Sequence, residues 1–133
     1  MLLDELTIEE KKAFWNIANV LASVDGRALE EESVLKQYNE EMSTGFDFVD
    51  PASIDVAKEL GNIKSDSLRN RRIVYFELFG VAYADTELDE REQKILDDIC
   101  SVLEIDSNVR ASLEESVKTV YDTYRKLGEV LNV

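Results

Sequence analysis

The chain has 133 residues, of which 29 are acidic and 15 basic, so its net charge is −14; it contains no histidine and one cysteine. This composition excludes an internal disulfide and a zinc site built from thiolates and imidazoles. It also argues against binding to nucleic acid or to an anionic membrane, because both rely on Lys and Arg, and it favours cations or basic protein surfaces as partners.

Hydrophobic spacing predicts six helices and no competing β-strand pattern. The predicted helices cover about residues 8–24, 29–42, 51–61, 66–84, 90–103 and 107–127 or beyond. An alternative for the last helix is an interruption near Ser112. No linker divides these elements. We therefore expect an all-α fold with a single compact domain of about six to seven helices over residues 1–133.

Local signals mark the start of three of these helices. Thr7 and Glu10 have the spacing of a capping box before the first helix, and Asp89 and Glu92 have it before the fifth. Asp50 precedes the chain's single proline and is positioned to cap a short third helix that starts there.

The fourth helix is apolar on nearly all sides between residues 73 and 84, which predicts a central position in the core. This stretch is 12 residues long and contains Glu77, so it is too short and too charged to span a bilayer. Burial of Glu77 would require a partner or a raised pKa, and an exposed seam is the alternative. Cys100 and five aromatic residues are also expected in the core, namely Phe14, Trp15, Tyr75, Phe76 and Phe79.

The last helix carries an apolar stripe that we expect to face the core. Its members recur at helical spacing and are Leu113, Val117, Val120, Tyr121, Tyr124 and Leu127.

The sequence partly matches itself when it is shifted by 60 residues. Residues 22–26 (ASVDG) fall on residues 82–86 (AYADT), so that Asp25 overlies Asp85 and Glu32 overlies Glu92. Each unit is an apolar helix, an aspartate at its end, a short turn and an acidic helix start. The chain is therefore interpreted as two pseudo-repeated helical hairpins.

Asp25 and Asp85 are the first candidates for a functional site. A carboxylate at a helix C-terminus is disfavoured by about 0.3–1 kcal/mol, so something must compensate it. One interpretation is a turn in which each Asp accepts backbone N–H bonds. The other is a cation site in which Asp25, Glu32, Asp85 and Glu92 hold Ca²⁺, Mg²⁺ or Mn²⁺, the ions suited to an all-oxygen site.

The two glutamates also have a structural interpretation as residues of a first helical turn. Asp89 supports a capping role for Glu92, whereas Leu29 stands at the equivalent position before Glu32 and weakens that role there. A cluster of Arg69, Arg71 and Arg72 is expected to pair with nearby acids, or alternatively to dock on an acidic face of another copy.

The two turns, residues 22–32 (ASVDGRALEEE) and 82–92 (AYADTELDERE), together with residues 94–105, resemble the tellurite-resistance TerB-like superfamily. The resemblance runs from about Phe14 to Leu127. It implies a compact all-α fold of about seven helices. It also implies a link with metal or oxyanion stress responses, and acidic residues that chelate cations. Thr86 in place of glycine, Leu29 in place of a polar cap and a long loop from Thr44 to Asp50 depart from the family pattern.

We therefore expect a non-enzymatic, cytoplasmic, acidic helical module that binds a divalent cation, a basic protein partner, or both. A protein–protein interaction or self-association domain without a metal role is the alternative. No nucleophile motif, phosphate-binding glycine loop or cofactor motif supports an enzyme, and neither nucleic-acid binding nor membrane insertion is expected.

Overall fold

The computed structural model describes residues 2–24, 29–64, 67–84 and 88–132, with the side chains of residues 29–31 and 64 left out. Within these ranges there are six α-helices and two short 3-10 helices, and no β-strand. The α-helices are α1 (Ile8–Ser23), α2 (Leu29–Glu41), α3 (Val56–Lys64), α4 (Leu68–Ala82), α5 (Glu90–Val102) and α6 (Ser107–Leu131); the 3-10 helices are Leu3–Glu5 and Pro51–Ser53. The predicted all-α class is confirmed.

Both predicted capping boxes are present. The Glu10 amide donates to the Thr7 hydroxyl at 3.2 Å, and the Thr7 amide donates to the Glu10 carboxylate at 2.8 Å. At the start of α5, the Glu92 amide donates to Asp89 at 2.9 Å, and the Glu92 carboxylate accepts from the Asp89 amide. Each pair satisfies two backbone amides that a helix start otherwise leaves without an acceptor.

The third α-helix does not begin at Pro51, where the sequence predicted its start. Asp50 does cap the residues after it, but only a 3-10 turn follows, and Ile54 is extended. The α-helix begins at Val56, and the Lys58 amide donates to the Asp55 carboxylate at 3.3 Å. Asp55 is therefore a second capping aspartate, and it marks the start of the α-helix. Helix α3 continues past the predicted end at Gly61, which is exposed, and ends at Lys64.

The possible break of the last helix near Ser112 does not occur, because α6 runs unbroken over 25 residues. A single serine in a helix interior costs only about 0.5 kcal/mol relative to alanine. That is less than the packing of Val117 and its neighbours contributes.

The core is built around α1 and α4, which pack against each other. Helix α3 covers α1 and α5, α2 lies against both central helices, and α5 and α6 cover α4. The fully buried side chains include Phe14, Trp15, Leu21, Leu35, Ile63, Tyr75, Leu78 and Phe79. Cys100 is buried as predicted, whereas Phe76 is only half-buried.

The apolar stripe predicted to face inward from α6 is confirmed for three of its six residues and wrong for the other three. Val117 is buried, and Leu113 and Tyr121 are half-buried against the core. Val120, Tyr124 and Leu127 are exposed by 37%, 69% and 49%. The rest of the protein covers the stripe at Leu113, Val117 and Tyr121 and leaves its other three residues to solvent.

The 60-residue shift also relates the helices. Shifted by 60, α1 and α2 coincide with α4 and α5 to within one residue at every end, and α3 falls inside α6. The two central helices are thus equivalent elements of the two units, which explains why both are buried. Among the described helices, none combines the length and apolarity needed to cross a bilayer.

Candidate functional site

The four predicted cation ligands fall into two groups. Asp25 and Asp85 lie outside the described residues, so the proximity of the two turns stays a prediction. Glu32 is half-buried near the start of α2, and Glu92 is 1% exposed in the first turn of α5. Among the described residues, no three Asp, Glu or Cys side chains lie close enough together to hold a metal ion.

The structural role of Glu92 is confirmed by its capping box with Asp89. Its carboxylate lies at the positive end of the α5 dipole, which stabilises a negative charge there. A further role of Glu92 as a cation ligand stays a prediction.

A groove that the sequence analysis missed opens between α2, α4 and α6, with a volume of about 580 Å³. Apolar side chains form most of its wall, notably Val34, Phe76, Val117, Val120 and Tyr124.

Two tyrosine hydroxyls lie at the groove against the backbone of α4. The Tyr38 hydroxyl donates to the Glu77 carbonyl at 3.1 Å, and the Tyr121 hydroxyl donates to the Gly80 carbonyl at 3.0 Å. A Cβ at position 80 would lie 3.0 Å from the Tyr38 hydroxyl oxygen. Gly80 therefore permits the close approach of Tyr38, and a glycine within a continuous apolar helix was the sequence signal for it.

Burial sets the charge state of this region. Desolvation by burial raises the pKa of the Glu77 carboxyl. Burial and then the nearby Glu77 charge raise the pKa of Tyr38 well above its usual value, and burial raises the pKa of Tyr121 to about 12. Both hydroxyls stay protonated at neutral pH. The exposed-seam interpretation of Glu77 is wrong, since this residue is 4% exposed.

The internal repeat gives the groove an equivalent in the other half of the molecule. The equivalent junction in the other half of the molecule lies between α5, α1 and α3, and there α3 packs against both other helices. Leu60 of α3 is 1% exposed, whereas Val120, its equivalent on α6, is 37% exposed. The groove is the less tightly closed counterpart of a packed helix junction.

The model of the family described as "Tellurite resistance protein TerB" matches residues 4–115. The chain belongs to the TerB family. No curated protein and no solved structure matches it significantly.

The boundary of the TerB match falls within α6. The match ends at residue 115, and the helix continues to Leu131. The family match therefore includes the start of α6, where Val109 and Leu113 are half-buried, and leaves the rest of the helix from residue 116 outside.

Two of the three clustered arginines of this TerB-family chain pair within the molecule, as the sequence suggested. Arg69 makes a two-pronged contact with Glu5, at 2.9 Å to each carboxylate oxygen. Arg71 donates to the Leu103 carbonyl at 3.3 Å and lies 3.9 Å from the Glu104 carboxylate. These contacts fasten the start of α4 to the N-terminal 3-10 helix and to the end of α5.

Proposed function

We propose that this TerB-family chain is a non-enzymatic binding module that takes up a divalent cation through its two acidic turns. Asp25, Glu32, Asp85 and Glu92 would supply the carboxylate ligands. Calcium, magnesium and manganese are the candidates, because they prefer oxygen ligands.

The observation that carries this proposal is the agreement of the two helical units under the 60-residue shift. Asp25 and Asp85 each follow the end of a central helix, at equivalent positions in the two units. Glu32 and Glu92 occupy equivalent positions near the starts of α2 and α5. Each unit would supply two carboxylates, and the two pairs, related by the repeat, would give one shared ion a set of oxygen ligands.

The charge balance supports the same proposal. With a net charge of −14, the chain attracts cations at long range. Carboxylates gathered at one place repel one another, and a bound cation relieves that repulsion.

The non-enzymatic part of the proposal is supported by the state of the candidate nucleophiles. Burial raises the pKa of the Cys100 thiol, which therefore stays protonated. The groove tyrosines are likewise held in their neutral form.

Calorimetric titration of chelator-treated protein with each of the three ions tests the proposal. We expect saturable heat, and at a free ion concentration 100 times Kd a stabilisation of about 2.7 kcal/mol against unfolding. The double variant Asp25→Asn/Asp85→Asn should lose at least about tenfold in affinity, equivalent to about 1.4 kcal/mol.

The matched control is Asp4→Asn/Asp47→Asn, which removes two exposed carboxylates away from the turns and changes the net charge equally. Its affinity should equal that of the wild type. Absence of heat and of stabilisation at millimolar ion, or equal losses in both double variants, would contradict a site at the turns.

A further inference from the structure

The exposed half of α6 carries a row of large apolar side chains. We call Val120, Tyr124, Leu127 and Leu131 the α6 seam. The last three are exposed by 69%, 49% and 71%, and the neighbouring Val130 by 68%. Apolar residues scattered singly are normal on a protein surface, whereas these residues form one contiguous row, and contiguous apolar patches are often functional.

The seam has the spacing of a coiled-coil interface. Its residues alternate in steps of four and three, and the same alternation extends back to Val117 and Leu113. Those two residues pack on the domain's own core. The seam therefore continues an interface stripe beyond the point where the domain can cover it.

The charges on α6 favour a second copy of the chain as the partner that covers the seam. The helix has four basic and four acidic residues and hence no net charge, in a chain of net charge −14. The positions that flank the seam are uncharged, namely Ser116, Tyr121, Thr123, Gly128 and Val130. Two acidic copies repel each other less here than at a surface that carries the chain's acidic excess.

An antiparallel pairing satisfies both the spacing and the charge. It places Val120 opposite Leu131 of the second copy and Tyr124 opposite Leu127, so every seam residue meets an apolar partner. It also holds the two acidic domains at opposite ends of the paired segment. Leu131 of the second copy would then lie against Val120, which lines the groove.

The size of the seam predicts a weak dimer. Its exposed side chains amount to roughly 500 Å² per copy, so the pair would bury roughly 1,000 Å², the lower limit for a specific interface. The seam also lies outside the TerB match, which ends at residue 115. It is therefore a feature of this chain rather than of the matched family segment.

We propose that the α6 seam pairs with the same seam of a second copy and forms an antiparallel homodimer. This proposal does not depend on cation binding, so either can fail without the other.

Sedimentation equilibrium of the full chain, from micromolar to near-millimolar concentration, tests it. We expect a reversible monomer–dimer equilibrium. Since the seam is apolar and its flanks are neutral, added salt should leave the association unchanged or strengthen it. A monomer at every concentration would overturn the proposal.

The variant Tyr124→Gln/Leu127→Gln removes the centre of the seam. Its control, Lys126→Gln/Glu129→Gln, places two glutamines on the outer face of the same turns, and neither variant changes the net charge. We expect at least a tenfold weaker dimer for the seam variant and no change for the control. A dimer that survives the seam variant, or that both variants weaken equally, would overturn the proposal.

Intermolecular NOEs in a mixed-label sample of the wild type give a second test that needs no variant. Contacts between the methyl groups of Val120 and Leu131 of different copies are expected. Contacts between Val120 of one copy and Val120 of the other would overturn the antiparallel arrangement.

Discussion

Glu10 and Asn70 occupy the same position in the two repeat units, and they contact each other. The Asn70 side-chain amide donates to the Glu10 carboxylate at 2.9 Å, and Glu10 is 0% exposed. The two central helices thus meet near their N-terminal ends through equivalent residues. This is the geometry expected where a pseudo-twofold axis relates α1 to α4.

Asn70→Ala removes this contact and should lower the free energy of unfolding by about 1–3 kcal/mol, because a buried carboxylate loses a donor. The control is Asn62→Ala on α3, where the asparagine is exposed, and this change should fall within about 0.5 kcal/mol of the wild type. Urea denaturation measures both. Equal effects would show that the contact between the units contributes nothing specific.

Gly80→Ala tests the close approach of Tyr38 to α4. Alanine should favour a helix by about 0.8–1.0 kcal/mol, but its Cβ would lie 3.0 Å from the Tyr38 hydroxyl oxygen. We expect net destabilisation, measured by thermal unfolding.

The double-mutant cycle with Tyr38→Phe isolates the cause. Without the hydroxyl, Gly80→Ala should become neutral or stabilising. Gly128→Ala on α6 meets open space and should stabilise by up to about 1 kcal/mol. If Gly80→Ala destabilised equally in both backgrounds, the hydroxyl would not be the obstacle.

Arg110 links three helices. Its guanidinium lies 2.7 Å from Glu114 and 2.8 Å from Asp97, and Glu114 also accepts a short hydrogen bond from the Tyr75 hydroxyl. Arg110→Met keeps the apolar stem and should cost about 1–2 kcal/mol, because charged hydrogen bonds are lost at a partly buried site. Chemical denaturation measures the loss.

The matched control for that change is Arg125→Met. Arg125 pairs with Asp122 at 3.2 Å on the exposed face of the same helix. An exposed pair of this kind contributes about 0–1 kcal/mol, so the control should cost clearly less. Similar losses in the two variants would argue against a role of the Arg110 network in joining α4, α5 and α6.

Glu77 should make stability depend on pH. Its folded-state pKa is raised from the ordinary value of 4.5, mainly by burial, so the folded state binds more protons than the unfolded state. The contribution of Glu77 to stability is then fully present below pH 4.5 and is lost as the pH rises through its folded-state pKa. Glu77→Gln should lack this pH dependence. The free energy of unfolding of the variant should therefore rise relative to that of the wild type as the pH increases. Chemical denaturation at several pH values measures both proteins. A constant difference between their free energies of unfolding across this pH range would contradict the raised pKa of Glu77.

The sequence predicted what depends on neighbouring residues along the chain. Both capping boxes and the buried α4 follow from local spacing, and all are observed. Asp55 was missed as a second cap, although an aspartate just before a helical segment was a usable signal.

Contacts between distant segments were not predictable in the same way. The Trp15 indole donates to the Asp47 carbonyl at 2.8 Å, and the Val49 amide donates to Asn19, so the long loop after α2 is fixed to α1. Similarly, the spacing of Tyr124 and Leu127 identifies an apolar face but not what covers it. Whether a face is buried depends on the positions of other helices, which spacing does not encode.

The proposed cation site places one shared ion between the turns that follow α1 and α4. Paramagnetic broadening of backbone amide signals by substoichiometric Mn²⁺ tests it most directly. With a shared ion, amide signals flanking both turns, such as those of Val24, Glu32, Leu88 and Glu92, should broaden together and before those of Asp4 and Asp47. Broadening confined to one turn, or spread equally over all exposed acidic residues, would contradict it.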